Sequence, residues 1–402
     1  RDGRGRLTPR HRTATMGFDL EGALAQKRQA GLYRRRRLIG SAQGSRLLVD
    51  GRELLNFCSN DYLGLAADPR LTAAFTAAAQ RWGTGSGASH LVCGHSVEHH
   101  ALEEELAAFT GRERVLLFST GYMANTGIVQ ALLRKEDAVF EDELNHASLI
   151  DGGRLARCDY VRYGHNDVAD LERKLKASTA ERKLVVTDGV FSMDGDVAPL
   201  RALAQAARAH DAWLMVDDAH GFGVLGATGG GVAEALALGP AELPVLVGTL
   251  GKAFGTFGAF VAGSEALVEY LINSARSYIF TTALPPAVAA ATRESLRIVR
   301  EGEELRARLN ANIAHFRHEA GRLGLALMDS DTPIQPVILG GNERALAWSA
   351  ALQERGLLVG AIRPPTVPAG TARLRVTLTA GHARPEIDRL LEGLAACRRE
   401  VG

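Results

Sequence analysis

Between residues 97 and 261, short apolar runs bounded by Gly or Asp alternate with stretches of helical periodicity. Few folds satisfy that rhythm. A strand that reads as a continuous apolar run is buried on both faces, and the helix between two such runs is the crossover that parallel strands require. The pattern predicts helices over 97–109 and 124–133. It predicts strands over 114–118, 184–187, 213–216, 245–247 and 257–261. The expected fold class is α/β, a mostly parallel sheet covered by helices, with a smaller α/β domain at the C-terminal end.

The flanks read differently. Residues 20–36 are expected to form a helix ending in the basic run Arg34-Arg35-Arg36-Arg37, a solvated face or an anion-binding edge. Residues 47–55 read as a hairpin turning at Asp50-Gly51. After Pro285-Pro286 the texture becomes one long helical pattern over 287–323, rich in Arg and Glu, followed by strands over 335–339 and 374–378. These shifts divide the chain into an N-terminal helix-and-hairpin segment (16–55), a large domain (56–287) and a small domain (288–402). Residues 1–15 are basic and polar with no apolar core. They are expected to be a disordered extension before Met16, neither a signal peptide nor an amphipathic transit peptide.

Composition excludes several partners. Lys plus Arg is 47 and Asp plus Glu is 46, so the formal net charge of +1 gives no reason to expect nucleic acid or an anionic membrane. Hydrophobic residues at 46% and charged residues at 23% fit a soluble globular protein. The four cysteines, Cys58, Cys93, Cys158 and Cys397, form no C-x-x-C pair, so a reducing cytoplasm fits better than a disulfide or zinc scaffold. Residues 245–261 are apolar, but Lys252 at their centre argues against a membrane span. His90, His95, His99 and His100 cluster without a metal-ligand rhythm and are read as structural, so no metal is expected.

The chemistry concentrates at strand ends. Lys252 sits in Gly248-Thr249-Leu250-Gly251-Lys252-Ala253-Phe254-Gly255. Desolvated among apolar groups, its amine loses its proton readily and can form an imine with an aldehyde. The bland alternative is a lysine that snorkels to solvent. The run 213–216 ends at Asp217, where open α/β sheets bind ligands, and His220 follows three residues later. A carboxylate there could keep a pyridine nitrogen protonated; the alternative, a helix-capping aspartate, suits Asp218 better. Gly221-Phe222-Gly223-Val224-Leu225-Gly226 matches a dinucleotide fingerprint, but the Gly-rich residues after it cannot start the required helix. Ser119-Thr120-Gly121-Tyr122-Met123-Ala124-Asn125, between a strand and a helix, offers N–H groups to a phosphate, or simply caps the helix. His146 is either a ring that stacks on an aromatic cofactor or a satisfied core histidine.

Lysine, aspartate, histidine and a phosphate turn in this order resemble the fold-type I pyridoxal-phosphate enzymes, and among them the α-oxoamine synthases. The text that carries the resemblance is Asn56-Phe57-Cys58-Ser59-Asn60-Asp61-Tyr62-Leu63-Gly64-Leu65, Gly85-Ser86-Gly87, Asp188-Gly189-Val190-Phe191-Ser192-Met193-Asp194-Gly195-Asp196, Val216-Asp217-Asp218-Ala219-His220-Gly221 and the lysine loop. The resemblance covers residues 20–398. It implies pyridoxal 5'-phosphate bound covalently at Lys252, with Asp217 at the ring nitrogen, His220 and Ser192 at the ring hydroxyl and His146 stacked on the ring. It places Gly121, Tyr122 and Thr249 around the cofactor, and Thr281 or Thr282 at the phosphate of a partner subunit in a homodimer. Arg34 and Thr366 match substrate positions. Arg363 would hold the amino-acid carboxylate, with Arg375 its rival.

The stretch from Ala361 to Arg375 resembles most closely the family member that condenses L-alanine with a pimeloyl thioester of coenzyme A or acyl carrier protein, in biotin biosynthesis. Rival readings are a sister synthase using glycine or serine, an aminotransferase of the same fold, and a non-catalytic protein that kept the fold.

Overall fold

The computed structural model describes residues 17–400; the expected extension over 1–15 and Met16 lie outside them. The chain first makes a hairpin, β1 (Arg46–Val49) and β2 (Arg52–Asn56), paired antiparallel with Val49 opposite Arg52. Asp50 and Gly51 both take positive φ, 48° and 81°, the two left-handed positions of a type I′ turn.

Seven strands follow: β3 (Arg114–Phe118), β4 (Ala138–Asp142), β5 (Asp159–Tyr163), β6 (Lys183–Asp188), β7 (Ala212–Asp217), β8 (Val245–Thr249) and β9 (Ala259–Gly263). They form one sheet in the order β3-β9-β8-β7-β6-β4-β5, parallel throughout except for β9, which runs against both its neighbours. Side chains alternate between its faces. Leu117, Phe140, Val185, Leu214, Leu246 and Phe260 enter one apolar cluster. Leu116, Val139, Val186, Met215, Val247 and Val261 enter another. Each such buried side chain contributes roughly 1.5–3 kcal/mol.

The remaining strands are β10 (Ile334–Gly340), β11 (Leu357–Leu358), β12 (Gly360–Ile362) and β13 (Ala372–Thr377). β10, β13 and β12 make a second, antiparallel sheet, while β11 extends the N-terminal hairpin by pairing parallel with β2. The chain's two ends are thereby joined.

Three expectations need correction. The helix expected over 20–36 is Leu20–Gln29. Gly31 at φ 66° turns the chain out of it, and Arg34 to Arg37 run on exposed and irregular, where their like charges stay in water. The long helix over 287–323 is two, Pro286–Glu301 and Glu303–Arg322, parted at Gly302. β4 and β5 were not expected at all: Glu141, Asp142, Asp159 and Arg162 break their apolar pattern. Among the described residues, no helix is long and apolar enough to cross a membrane.

Candidate active site

Every parallel strand delivers its carboxyl end to one edge of the large sheet. β3 runs into Ser119–Tyr122, β4 into Asn145 and His146, β6 ends at Asp188, β7 at Asp217, and β8 at Thr249 three residues before Lys252. Loops at this edge collect chemistry because no strand continues to cover it.

Lys252 Nζ lies 2.8 Å from His220 Nε2, and His220 Nδ1 lies 2.6 Å from the Tyr62 hydroxyl. One hydrogen pattern satisfies the line. The amine donates to Nε2, Nδ1–H donates to the Tyr62 oxygen, and the Tyr62 hydroxyl donates to Asn60 Oδ1 at 3.3 Å. Burial holds His220 well below its usual range, with the Lys252 charge adding to the effect, so its ring is neutral and can accept. Burial also pushes the Lys252 amine down to about 8, against the opposing pull of Asp217 and Asp188.

A second line supports Asp217. Asn125 Nδ2 donates to Asp217 Oδ2 at 2.6 Å and to Ser148 Oγ at 2.9 Å, and Ala219 N–H donates to Asp217 Oδ1 at 3.0 Å. Ser148 Oγ is 2.7 Å from His146 Nδ1, and the His146 N–H donates to Asp188 Oδ2 at 2.7 Å. Burial pushes Asp188 and Asp218 well above the usual carboxylate range, and the Asp217 charge reinforces both. Asp218 is not the N-cap of a helix: the helix it touches, Gly231–Ala235, starts from Gly230, and Asp218 reaches it from across the loop. Its Oδ2 accepts the Val232 N–H at 2.7 Å, in the first turn of Gly231–Ala235.

Thr120 caps the helix Gly121–Leu132 by accepting the Met123 N–H at 3.2 Å. The N–H groups of Gly121 and Tyr122 stay free of acceptors among the described residues. A Cβ on Gly121 would meet no atom within 4 Å, so open space lies over this helix start. Tyr122 is exposed and donates to Asp151 at 2.6 Å. Ser119 Oγ donates to the Thr282 carbonyl at 3.5 Å, and Thr249 Oγ1 to the Gly258 carbonyl at 3.2 Å.

The arginines separate. Arg375 belongs to the lysine network: its Nε donates to the Ser192 carbonyl at 2.6 Å, and two of its other N–H groups converge on Asn60 Oδ1, each at 3.2 Å. Arg363 instead donates to the Gly31 carbonyl at 2.5 Å. With Arg34, Lys27, Tyr33 and Thr366 it lines a separate cavity of about 690 Å³.

The aminotransferase class I and II pattern matches residues 52–394. The chain belongs to that family. Its relatives within the aminotransferase class I and II family include the 8-amino-7-oxononanoate synthase of Methylococcus capsulatus, 62% identical over 380 residues, 94% of this chain and 98% of the relative. That of Pseudomonas aeruginosa is 60% identical over 386 residues, 96% of each. Among solved structures, a Sphingomonas wittichii serine palmitoyltransferase is 34% identical with a TM-score of 0.90, covering 95% of this chain and 97% of that one. A Francisella tularensis 8-amino-7-oxononanoate synthase is 32% identical with a TM-score of 0.76, covering 86% and 98%. The expected fold type I architecture holds.

Sequence reasoning named neither Tyr62 nor Asn125 as a site residue. Tyr62 reaches His220 across 158 positions of sequence, which no local pattern reports. Asn125 carried a signal, since it sits one helical turn after Gly121 and so faces the same strand ends.

Proposed function

We propose that the chain condenses L-alanine with a pimeloyl thioester, releasing carbon dioxide, the free thiol carrier and 8-amino-7-oxononanoate, with pyridoxal phosphate as cofactor. The observation that carries this reading is the 62% identity to a protein of that name over nearly the whole of both chains. The serine palmitoyltransferase likeness, at 34% identity, shares the fold but much less of the residue pattern.

The residues fit the cofactor. The amine at Lys252 is desolvated, an anion would find free N–H groups and open space at Gly121, and Asn125 Oδ1 is buried beside Asp217 with no partner among the described residues. When bound, pyridoxal phosphate supplies a protonated ring that takes up the electron pair left by a bond broken at the amino acid's α-carbon. Lys252 Nζ would be the covalent attachment point for the aldehyde, and its neutral amine would be the base for the α-proton. His220 Nε2 steers that amine, and Tyr62 and Asn60 fix the tautomer that lets it do so. Asp217, held by Asn125 and the Ala219 N–H, would keep the ring nitrogen protonated. His146 would pack against the ring, Ser192 would serve its hydroxyl, and Thr249 would help hold the phosphate with the first turn at Gly121 and Tyr122.

Arg375 rather than Arg363 holds the alanine carboxylate, because only Arg375 reaches the lysine network with a forked pair of N–H groups. The cationic cavity at Arg34, Arg363 and Thr366 receives the thioester substrate, carried by coenzyme A or acyl carrier protein. The chain works as a homodimer in the cytoplasm, with Thr281 or Thr282 reaching the partner's cofactor phosphate. Exposed Leu91, Val92 and Phe280, within a few residues of the Ser89–Thr282 bridge, support such a pairing face. We divide the chain into a large domain over 56–287 and a small one over 288–402, the second sheet supporting the latter.

The test is thiol release over a panel of amino acids and acyl thioesters. Alanine with pimeloyl-CoA or pimeloyl-acyl carrier protein should give the highest kcat/KM. A higher value for serine with palmitoyl-CoA, or no thiol release from any pair, would overturn the reading. Glycine and serine should retain partial activity, since one methyl is worth only about 1–3 kcal/mol.

A further inference from the structure

Outside the lysine site, a group of imidazoles and carboxylates meets at the start of the helix Val97–Thr110. His95 lies in the turn before the helix. His100 and Glu103, three residues apart, share one helix face. The ligating atoms of His95, His100 and Glu103 all lie within 4.8 Å of one another. The three line a cavity of about 260 Å³ together with Glu104 and Glu113, and the Arg114 at its wall is engaged by Glu269 at 3.1 Å.

The lone pairs are available where a cation needs them. Glu103 spends Oε1 on the Leu117 N–H at 3.0 Å and turns Oε2 toward His95 Nε2, 3.9 Å away. His95 Nδ1 lies 2.9 Å from His90 Nδ1, and two nitrogens so close share one proton. When His95 donates it, His95 Nε2 is left bare and facing Glu103. This is the outer support that metal-bound histidines usually have. Among the described residues, His100 is held by an exposed contact to Glu104 at 3.4 Å and an edge-on approach of the His95 ring, which cost little to release. His90, His95 and His99 are also near one another, but His99 is committed: Nδ1 accepts the Ser96 N–H at 2.9 Å, and Nε2 donates to the Leu284 carbonyl at 2.6 Å.

We propose that His95, His100 and Glu103 bind one divalent transition-metal ion of the zinc class, with a further coordination position open to the cavity. Two imidazoles and one carboxylate suit such an ion better than magnesium or calcium, which prefer oxygen alone. The ion braces the turn His90–Gly94 against the helix. That turn follows directly on Ser89, which bridges Thr282, and Ser86 four residues before it donates to the Leu284 carbonyl at 2.6 Å.

The experiment uses untagged, pyridoxal-phosphate-loaded protein freed of metal by a chelator and titrated with CoCl₂. One Co²⁺ per chain should bind, with visible d–d bands that ZnCl₂ bleaches. His95→Ala and Glu103→Gln, which remove ligands outright, should weaken binding by at least the roughly 10–100-fold that loss of an outer-shell partner costs. His100→Ala, a surface change that leaves the core packing intact, should do the same and should abolish the rise in melting temperature that ZnCl₂ gives the wild type. No stoichiometric uptake by the wild type, or uptake undiminished in His100→Ala, would overturn the proposal.

Discussion

At Lys252 two opposing effects set the state of the amine. Burial disfavours the charged form, while Asp217 and Asp188 favour it, and burial wins: the group falls from 10.5 to about 8. That shift corresponds to roughly 3 kcal/mol in favour of the neutral amine, enough to turn an inert ammonium into a usable nucleophile near neutral pH. The arginines can be tested against each other at this same scale. Arg375→Ala should raise KM for alanine at least about tenfold, and Arg375→Lys should rescue little of it, because an ammonium cannot present a fork. Arg363→Ala should leave KM for alanine near wild type and raise KM for the thioester. Steady-state kinetics with each substrate varied in turn decides; the opposite pattern would return the carboxylate to Arg363. The sequence alone could not choose between them. Both arginines lie in one motif twelve positions apart, and only the pairing of β13 with its neighbours carries Arg375 to Asn60 and Ser192.

Among the elements, the loop from β8 to β9 carries the most local constraint. Gly255 takes φ 66°, and a Cβ there would lie 2.5 Å from the Leu65 carbonyl carbon and from Ala66 N, backbone atoms that cannot step aside cheaply. Gly251, also beside Lys252, would place a Cβ no closer than 3.7 Å to anything. Gly255→Ala should therefore cost about 2–4 kcal/mol of stability, and Gly251→Ala less than about 1. Denaturant unfolding of the two variants compares them directly, and equal midpoints would refute the steric argument. The strands with continuous apolar runs, β3 and β6 to β9, were legible within a residue or two because burial on both faces leaves no room for charge. β5 was not, for the complementary reason: β3 and β5 both lie at sheet edges, but only β5 leaves most of its side chains in reach of water.

For the whole molecule, topology does what local sequence cannot. The parallel order of β4, β6, β7 and β8 brings Asn145, Asp188, Asp217 and Thr249 to one edge, and the joining of the chain's two ends brings Asn60 and Tyr62 beneath them. Lys252, Asp217 and His220 could be read from strand-end position. The Tyr62–His220–Lys252 line and the Asn125 support of Asp217 needed the fold. The account turns on that one amine, and the chain's six lysines, Lys27, Lys135, Lys174, Lys176, Lys183 and Lys252, make it easy to single out. The decisive measurement is borohydride trapping of pyridoxal phosphate by cofactor-stripped protein across pH, with peptide mapping of the product. A lowered amine gains its neutral form as pH rises through its folded value, so capture should be confined to Lys252 and climb with a midpoint near 8. Capture at another lysine, or at Lys252 only as pH approaches the ordinary 10.5, would contradict it.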